Sequence, residues 1–343
     1  MQCAVLEVDV WISREASIFM VGGNLQGLLL MALKLFFTTD VHGSDVCWKK
    51  FVNSIEHFKA DLAILGGDIT GKMVIPMVEE GSGYHYRFYG REMQIPADQL
   101  KDECAKIGNA GYYPYPAGKN EVERLTNNQT AQDQIFDKLM VERLENWLKL
   151  SSEKYKGEQK LYVSPGNDDR FIMDDVLKKS DSIVACEDEC VKLHDEYEMV
   201  TSGWVTPTPW KTAREAPDEK LEIMYEELMK KAHDYSRLIC NFHCPPYNSG
   251  LDTAAKVTSD LSVKVGFGGV EFGSMGSKAC RKMIEKYKPL LGLHGHIHES
   301  AGFRRIGKTL CVNPGSEYAE GILRGYLIFL EDAKVKGHWR VAC

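Results

Sequence analysis

The chain has 343 residues, 44% hydrophobic and 27% charged, which is the balance of a globular protein with ample core and excludes a disordered or fibrous one. Its formal net charge of −7 speaks against a dedicated nucleic-acid binder, because phosphate backbones are held by basic surfaces. The ten cysteines contain no C-x-x-C pair and the chain has no run of eighteen apolar residues. A cytoplasmic protein with reduced thiols and no membrane span is therefore expected.

Residues 25–37 are apolar enough to suggest the h-region of a signal peptide, but their flanks are wrong: no Lys or Arg precedes Arg14, and no small-residue cleavage site follows. Met31 stands just before the first core run, so residues 1–30 are expected to form a poorly packed extension. The run Leu35-Phe36-Phe37-Thr38-Thr39 reads as a strand and ends in Asp40-Val41-His42-Gly43. Val46, Phe51, Ile55 and Phe58 recur at helical spacing, and residues 61–65 form a second apolar strand closed by Gly66-Gly67-Asp68. Strand, helix, strand with polar residues at both strand ends is the α/β pattern, in which ligands bind at the carboxyl edge of the sheet.

Residues 72–128 break the rhythm. Residues 73–78 and 84–95 flank a Glu-Glu-Gly-Ser-Gly turn and suggest a hairpin, followed by a short helix at 96–107 and an aromatic, Pro-rich loop at 112–116. This reads as an insertion over the sheet edge, either a surface excursion or a lid. A long amphipathic helix is expected over 131–150 and a strand at 160–163, leading into Ser164-Pro165-Gly166-Asn167-Asp168-Asp169-Arg170. Short strands are expected within 182–203, a helix over 215–235, and a strand at 237–242 running into His243-Cys244-Pro245-Pro246-Tyr247-Asn248. A helix at 277–287 leads to a strand at 289–293 and then to His294-Gly295-His296-Ile297-His298. Strands at 309–312, 324–330 and 335–341 close a second sheet, with Asn313-Pro314-Gly315-Ser316 after the first of them. No repeat or linker divides residues 31–343, so a single domain is expected.

Five strand ends thus carry candidate ligands: Asp40 and His42, Asp68, Asn167, His243, then His296 and His298. Two Asp, one Asn and four His suit two hard-to-borderline divalent ions with one bridging carboxylate, and no thiolate is required. The succession Asp-x-His, Gly-Asp, Gly-Asn-x-Asp, His, Gly-His-x-His resembles the calcineurin-like metallophosphoesterase superfamily, with the blocks in the same order from residue 34 to about 330. The resemblance implies a four-layer α-β-β-α sandwich with two metals at its edge. It implies Asp40, His42 and His298 on one ion, Asn167, His243 and His296 on the other, and Asp68 between them. The ions would be Mn, Fe, Zn or Ni. Two cations about 3.5–4 Å apart can bind phosphoryl oxygens and make a bridging hydroxide available for in-line attack.

One departure stands out. Many members carry His after the third-block Asn, where it is thought to protonate the leaving oxygen; here that position is Asp168. A carboxyl beside two dications is drawn toward its ionised form, which makes Asp168 a poor acid and favours phosphodiesters or activated monoesters as substrates. Asp169 is expected to support the ligands from behind. Arg170, Tyr247, Asn248 and His294 are candidate substrate contacts. The expected partner is a small-molecule phosphoester. The alternatives are a phosphomonoesterase or protein phosphatase, and a non-catalytic metal-binding scaffold of the same fold.

Overall fold

The computed structural model describes residues 32–343, apart from 195, 259, 261 and 267. The expected extension over residues 1–30 therefore lies outside the described residues. Strand β1 (Leu33–Thr38) alternates as a half-and-half strand must: Leu33, Leu35 and Phe37 enter one core and Phe36 another. Helix α1 (Asp45–Phe58) starts where the Ser44 side chain accepts the Cys47 N–H and Asp45 faces the positive helix end. It ends at Lys59 in the left-handed conformation, and the chain returns as β2 (Leu62–Leu65), parallel to β1.

Two six-stranded sheets carry the molecule. The first has the order β20 (Lys334–Ala342), β19 (Arg324–Glu331), β1, β2, β7 (Leu161–Val163), β8 (Ile183–Ala185), so two of the three strands expected to close a second sheet instead extend the first, where β19 pairs antiparallel with β1. The second runs β17 (Gly302–Ile306), β18 (Thr309–Asn313), β16 (Leu291–Leu293), β11 (Leu238–Phe242), β10 (Tyr197–Ser202), β9 (Cys190–His194). Leu35, Phe37, Ile64, Met199, Ile239, Leu291, Leu310 and Ile328 fill one core between the two sheets. On the outer face of the first sheet, α1 and α4 (Gln129–Tyr155) pack around the stacked rings of Trp48 and Trp147, 4.8 Å apart, with α5 (Ile172–Leu177) beside them. On the outer face of the second sheet, α6 (Asp218–Lys230) and α7 (Lys278–Tyr287) bury Leu221, Tyr225, Cys280 and Met283 against Val200, Cys240 and Phe242. The fold is thus mixed α/β with several sheets.

The region 72–128 corrects the sequence reading in two places. The stretch expected as one hairpin arm over 84–95 turns at Tyr89-Gly90 and becomes two strands. The result is a sheet of order β5 (Arg91–Pro96), β4 (Gly83–Phe88), β3 (Val74–Glu80), β6 (Tyr113–Gly118). The aromatic run expected as a loop is β6 itself, parallel to β3. Its two prolines are tolerated because β6 is an edge strand and needs no ladder donor on its outer side. With α2 (Leu100–Asn109) this sheet has its own core of Ile75, Met77, Tyr86, Ile95 and Ile107, followed by α3 (Lys119–Thr126). The helix expected over 215–235 is shorter than its pattern, because Pro217 sets its start and Glu215 is held by Thr208 and Thr212. Two small hairpins, β12 (Thr253–Ala255) with β15 (Phe272–Ser274) and β13 (Val265–Gly266) with β14 (Gly269–Val270), complete the chain.

The insertion meets the main sheets tightly at Gly71 and Gly111. Gly71 N donates to the Tyr113 hydroxyl at 3.0 Å, and a Cβ on Gly71 would fall 2.0 Å from the Gly111 carbonyl oxygen. Gly71→Ala is therefore expected to cost about 1–3 kcal/mol, as overpacking against backbone does. Denaturant unfolding checks this; an unchanged midpoint would show that the mooring is slack.

Candidate metal centre

The carboxyl ends of β1, β2 and β7 in one sheet, and of β11 and β16 in the other, meet at a single edge. Backbone bonds fix their relation: Asp40 N donates to Gly67 O, His42 N to Asp68 O, and Gly295 N to His243 O, each at 3.0 Å. Asp40, His42, Asp68 and His296 all have positive φ, at 55°, 38°, 52° and 67°. Left-handed backbone at four non-glycine residues is strain of the kind that functional sites store, and the surrounding ladder bonds hold it in place.

The side chains gather into groups with ligand spacing. Asp40, His42 and His298 form one and Asp68, His243 and His296 another; His42, Asp68 and Asp168 overlap both. His298 Nε2 lies 3.3 Å from Asp40 Oδ1 and 3.0 Å from His42 Nε2. His243 Nε2 lies 3.3 Å from Asp68 Oδ2 and 3.7 Å from Asp40 Oδ1, and His42 Nε2 lies 3.6 Å from Asp68 Oδ2. Asp40, His42, Asp68, Asn167 and His243 are all buried. These Asp and His clusters can hold metal ions.

The donor set fits a cation for a second reason. Asn167 Nδ2 donates to Asp168 Oδ1 and Thr212 Oγ1, which leaves its buried Oδ1 without a partner. The His243 ring bonds the Gly66 carbonyl through Nδ1 at 3.0 Å, leaving Nε2 on the side of the carboxylates. A Cβ on Gly67 (φ 132°) would fall 2.3 Å from that Nδ1, so glycine is needed for the ring to sit there. A buried acceptor without a donor is costly unless a bound cation satisfies it.

Electrostatics shows what the cluster does without an ion. Burial works against the His243 imidazolium, but Asp68 and Asp40 push its pKa up to about 10. Burial would raise both carboxyls; His243 overrides it, with His298 on Asp40 and His42 on Asp68, and holds both below the usual carboxylate range. His296 is lowered to about 4 by burial and by the charge on His243, and His42 is also lowered, by burial and Lys72. The His243 imidazolium thus balances the charge of Asp40 and Asp68. The folded state binds this proton more tightly than the unfolded chain, whose histidine titrates near 6.5. Its contribution to stability is whole below that value and is lost as the pH rises through about 10. The melting temperature of chelator-treated protein is expected to fall across that window, and His243→Gln should flatten the slope. A flat wild-type profile would contradict this account.

The other sequence-predicted residues are placed as follows. Asp168 is partly buried: its N–H donates to Asp68 Oδ1 at 2.9 Å, and its Oδ2 lies 3.7 Å from His42 Nδ1. Burial and Asp68 push its pKa up to about 6, against the pull of Lys72. Asp169 is fully buried and accepts from the backbone N–H groups of Ile69, Thr70 and Gly166 and from the Thr70 hydroxyl. Arg170 is engaged by Asp133 and Asp137 on α4, at 2.9 Å each. Tyr247 lies under the Lys278 ammonium, and the Tyr247 and Asn248 carbonyls accept from Arg281, while Asn248 N donates to Asp252. His294 is buried with Nδ1 on the Phe242 carbonyl at 2.8 Å, and lies outside the three groups.

Sequence reading missed two neighbours. Lys72 Nζ lies 2.8 Å from Asp168 Oδ2, and burial of its ammonium is outweighed by Asp168 and Asp68, which push its pKa upward. Tyr318 packs its ring 4.7 Å from that of His42. Lys72 follows Gly66-Gly67-Asp68-Ile69-Thr70-Gly71 closely enough to have been considered with that block; nothing local marks Tyr318.

No family model matches the chain. It is 30% identical over 152 residues to an uncharacterized protein of Methanocaldococcus jannaschii, covering 44% of this chain and 61% of that one. The match thus spans about three fifths of the relative's length. One solved crystal structure aligns with 89% of this chain and 98% of its own at a TM-score of 0.53 and 16% identity, a likeness of fold alone. The structure of a novel archaeal phosphodiesterase aligns weakly, at a TM-score of 0.23 and 15% identity over 57% of this chain and 91% of that one, and carries no inference.

Proposed function

We propose that the protein is a dinuclear metal-dependent phosphoesterase of the calcineurin-like type, acting on a phosphodiester or an activated monoester. The observation that carries this reading is the meeting of two largely buried Asp/His groups at one sheet edge, with Asp68 reaching toward both. The helices, two sheets and helices that enclose the three main cores are read as the four layers of that family's sandwich. Asp40, His42 and His298 are assigned to one ion, Asn167, His243 and His296 to the other, and Asp68 to both; Mn, Fe, Zn and Ni all suit these donors. Two bound ions would supply Lewis acidity and a hydroxide nucleophile near neutral pH.

The chain's own residues do the rest. Gly66 O fixes the His243 ring through Nδ1, and Thr212 with Asp168 fixes the Asn167 amide so that its oxygen is the free end. The Ser316 hydroxyl donates to the Asp40 carbonyl at 2.6 Å and ties the Asn-Pro-Gly-Ser turn to the first ligand block. No disulfide joins the described cysteines, and no helix among the described residues is long and apolar enough to cross a membrane.

The test is hydrolysis of an aryl phosphodiester beside the matching monoester, by protein stripped of metal and reloaded with Mn²⁺. Diester turnover that depends on the metal supports the reading. Monoester turnover alone would overturn the diester preference drawn from Asp168. Two bound ions without turnover of either would favour the non-catalytic scaffold, for which the ion-paired Asp168 in the histidine position is the specific observation.

A further inference from the structure

The candidate centre has a cation beside it that no ligand block accounts for. Lys72 leaves the rigid segment 69–71, where Ile69 N and Thr70 N bond Asp169 and Gly71 N bonds Tyr113. Its ammonium lies 2.8 Å from Asp168 Oδ2 while its side chain stays 47% exposed, so it reaches the centre from the solvent side. Asp168 in turn is held by the ligand groups: its N–H bonds Asp68, its Oδ1 accepts from Asn167, and its Oδ2 is 3.7 Å from His42. Other cations nearby are committed to structure. Arg170 is forked onto Asp133 and Asp137, and Arg143 donates to the Gly43 and Tyr112 carbonyls.

We infer that Lys72 is the phosphate-reading cation of this site, held by Asp168 at the edge of the metal cluster so that its ammonium donates to an oxygen of the substrate phosphoester. The inference rests on the phosphoesterase reading and deepens it. The third block carries Asp168 where the family it resembles often has histidine, and a positive hydrogen-bond donor is supplied there from the loop after Asp68. The ligand class is an oxyanion with phosphate geometry, open to solvent on the Lys72 side. Asp168 then acts as a positioning residue: its carboxylate fixes a long, flexible side chain that would otherwise lose several rotamers on binding. A charged hydrogen bond of this kind is worth about 10- to 100-fold in affinity.

The test uses the full chain loaded with Mn²⁺, with metal content by elemental analysis, inorganic phosphate binding by calorimetry, and KM and kcat for an aryl diester. Lys72→Met is expected to keep its metals and melting temperature, to bind phosphate about 10- to 100-fold more weakly, and to raise KM by a similar factor. Lys72→Arg should recover most of the loss. In an Asp168→Asn background the effect of Lys72→Met should shrink, because the ammonium is no longer held. Phosphate affinity and KM unchanged in Lys72→Met, in a protein whose wild type binds phosphate and turns over, would overturn this inference and leave the phosphoesterase reading standing. Loss of metal from Lys72→Met would also overturn it, by making Lys72 part of the metal shell's support. A wild type that holds two metals yet neither binds phosphate nor cleaves the diester would sink both.

Discussion

Asp68→Asn is expected to lower diester turnover by at least about 10³-fold while leaving the protein folded. Groups that merely support a metal ligand are worth about 10- to 100-fold, and a carboxylate placed between two ligand groups should exceed them. Asp68 is 2% exposed, lies within 3.3–3.6 Å of His243 and His42, and accepts the Asp168 N–H on its other oxygen. Asparagine keeps the shape but removes the charge and leaves one oxygen where two are used. The Asp168 N–H can keep its acceptor, so the backbone has no reason to move; on the proposed assignment, the two ions would lose their shared anion. Metal content, melting temperature and turnover measured on one preparation separate the two effects. Turnover within tenfold of wild type would remove Asp68 from the centre of the scheme.

Asp169→Asn should act on the scaffold instead, with a loss of roughly 2–4 kcal/mol. Its Oδ2 accepts from Ile69 N and Gly166 N, at 2.9 and 2.8 Å, and its Oδ1 from Thr70 N and Thr70 Oγ1, at 2.7 and 2.6 Å. An amide must place its NH₂ toward one of these pairs. Turned toward Oδ2 it faces two backbone donors that cannot reverse. Turned toward Oδ1, the Thr70 hydroxyl can rotate to accept, but the Thr70 N–H is orphaned in a fully buried place. Both orientations loosen the link between the segment after β2 and the segment after β7, which carry Asp68 and Asn167. Equilibrium unfolding gives the size, and weakened metal affinity should accompany it. A midpoint equal to wild type would mean that these four bonds are worth no more than bonds to water.

The residues that gather at the candidate metal centre were legible in the sequence because each lies directly behind a short apolar run, and because order along the chain survives whatever the loops do. Leu35–Thr38 and Leu62–Leu65 could only be buried strands, so Asp40, His42 and Asp68 had to stand at their ends. The insertion was less legible. Tyr113 to Gly118 carries two prolines and reads as a loop until its pairing with β3 and the burial of Tyr113 are known, and neither is local information. Lys72 lies close behind the Asp68 block, yet its place at the centre was not readable for a related reason. Its partner is Asp168, 96 positions further on, and a lone lysine near a hairpin is ordinarily a solvated charge. Arg170 shows the opposite failure: adjacent to a ligand block in sequence, it turns away to α4.

The two sheets contribute unequally to each half of the metal cluster, and neither half can be assembled from one sheet. Asp40 and His42 follow β1, whereas His298 follows β16 and is 256 residues from His42 in the chain. Asp68 and Asn167 stand behind β2 and β7, whereas His243 and His296 stand behind β11 and β16. A chain that has formed only its first sheet holds Asp and a single His, and one that has formed only its second holds imidazoles without a carboxylate. On the proposed assignment, tight metal capture requires both sheets at once, and ions held there would act as a clasp across the interface between them. A change that shifts one sheet against the other would then weaken metal binding along with the interface, because binding and folding are linked.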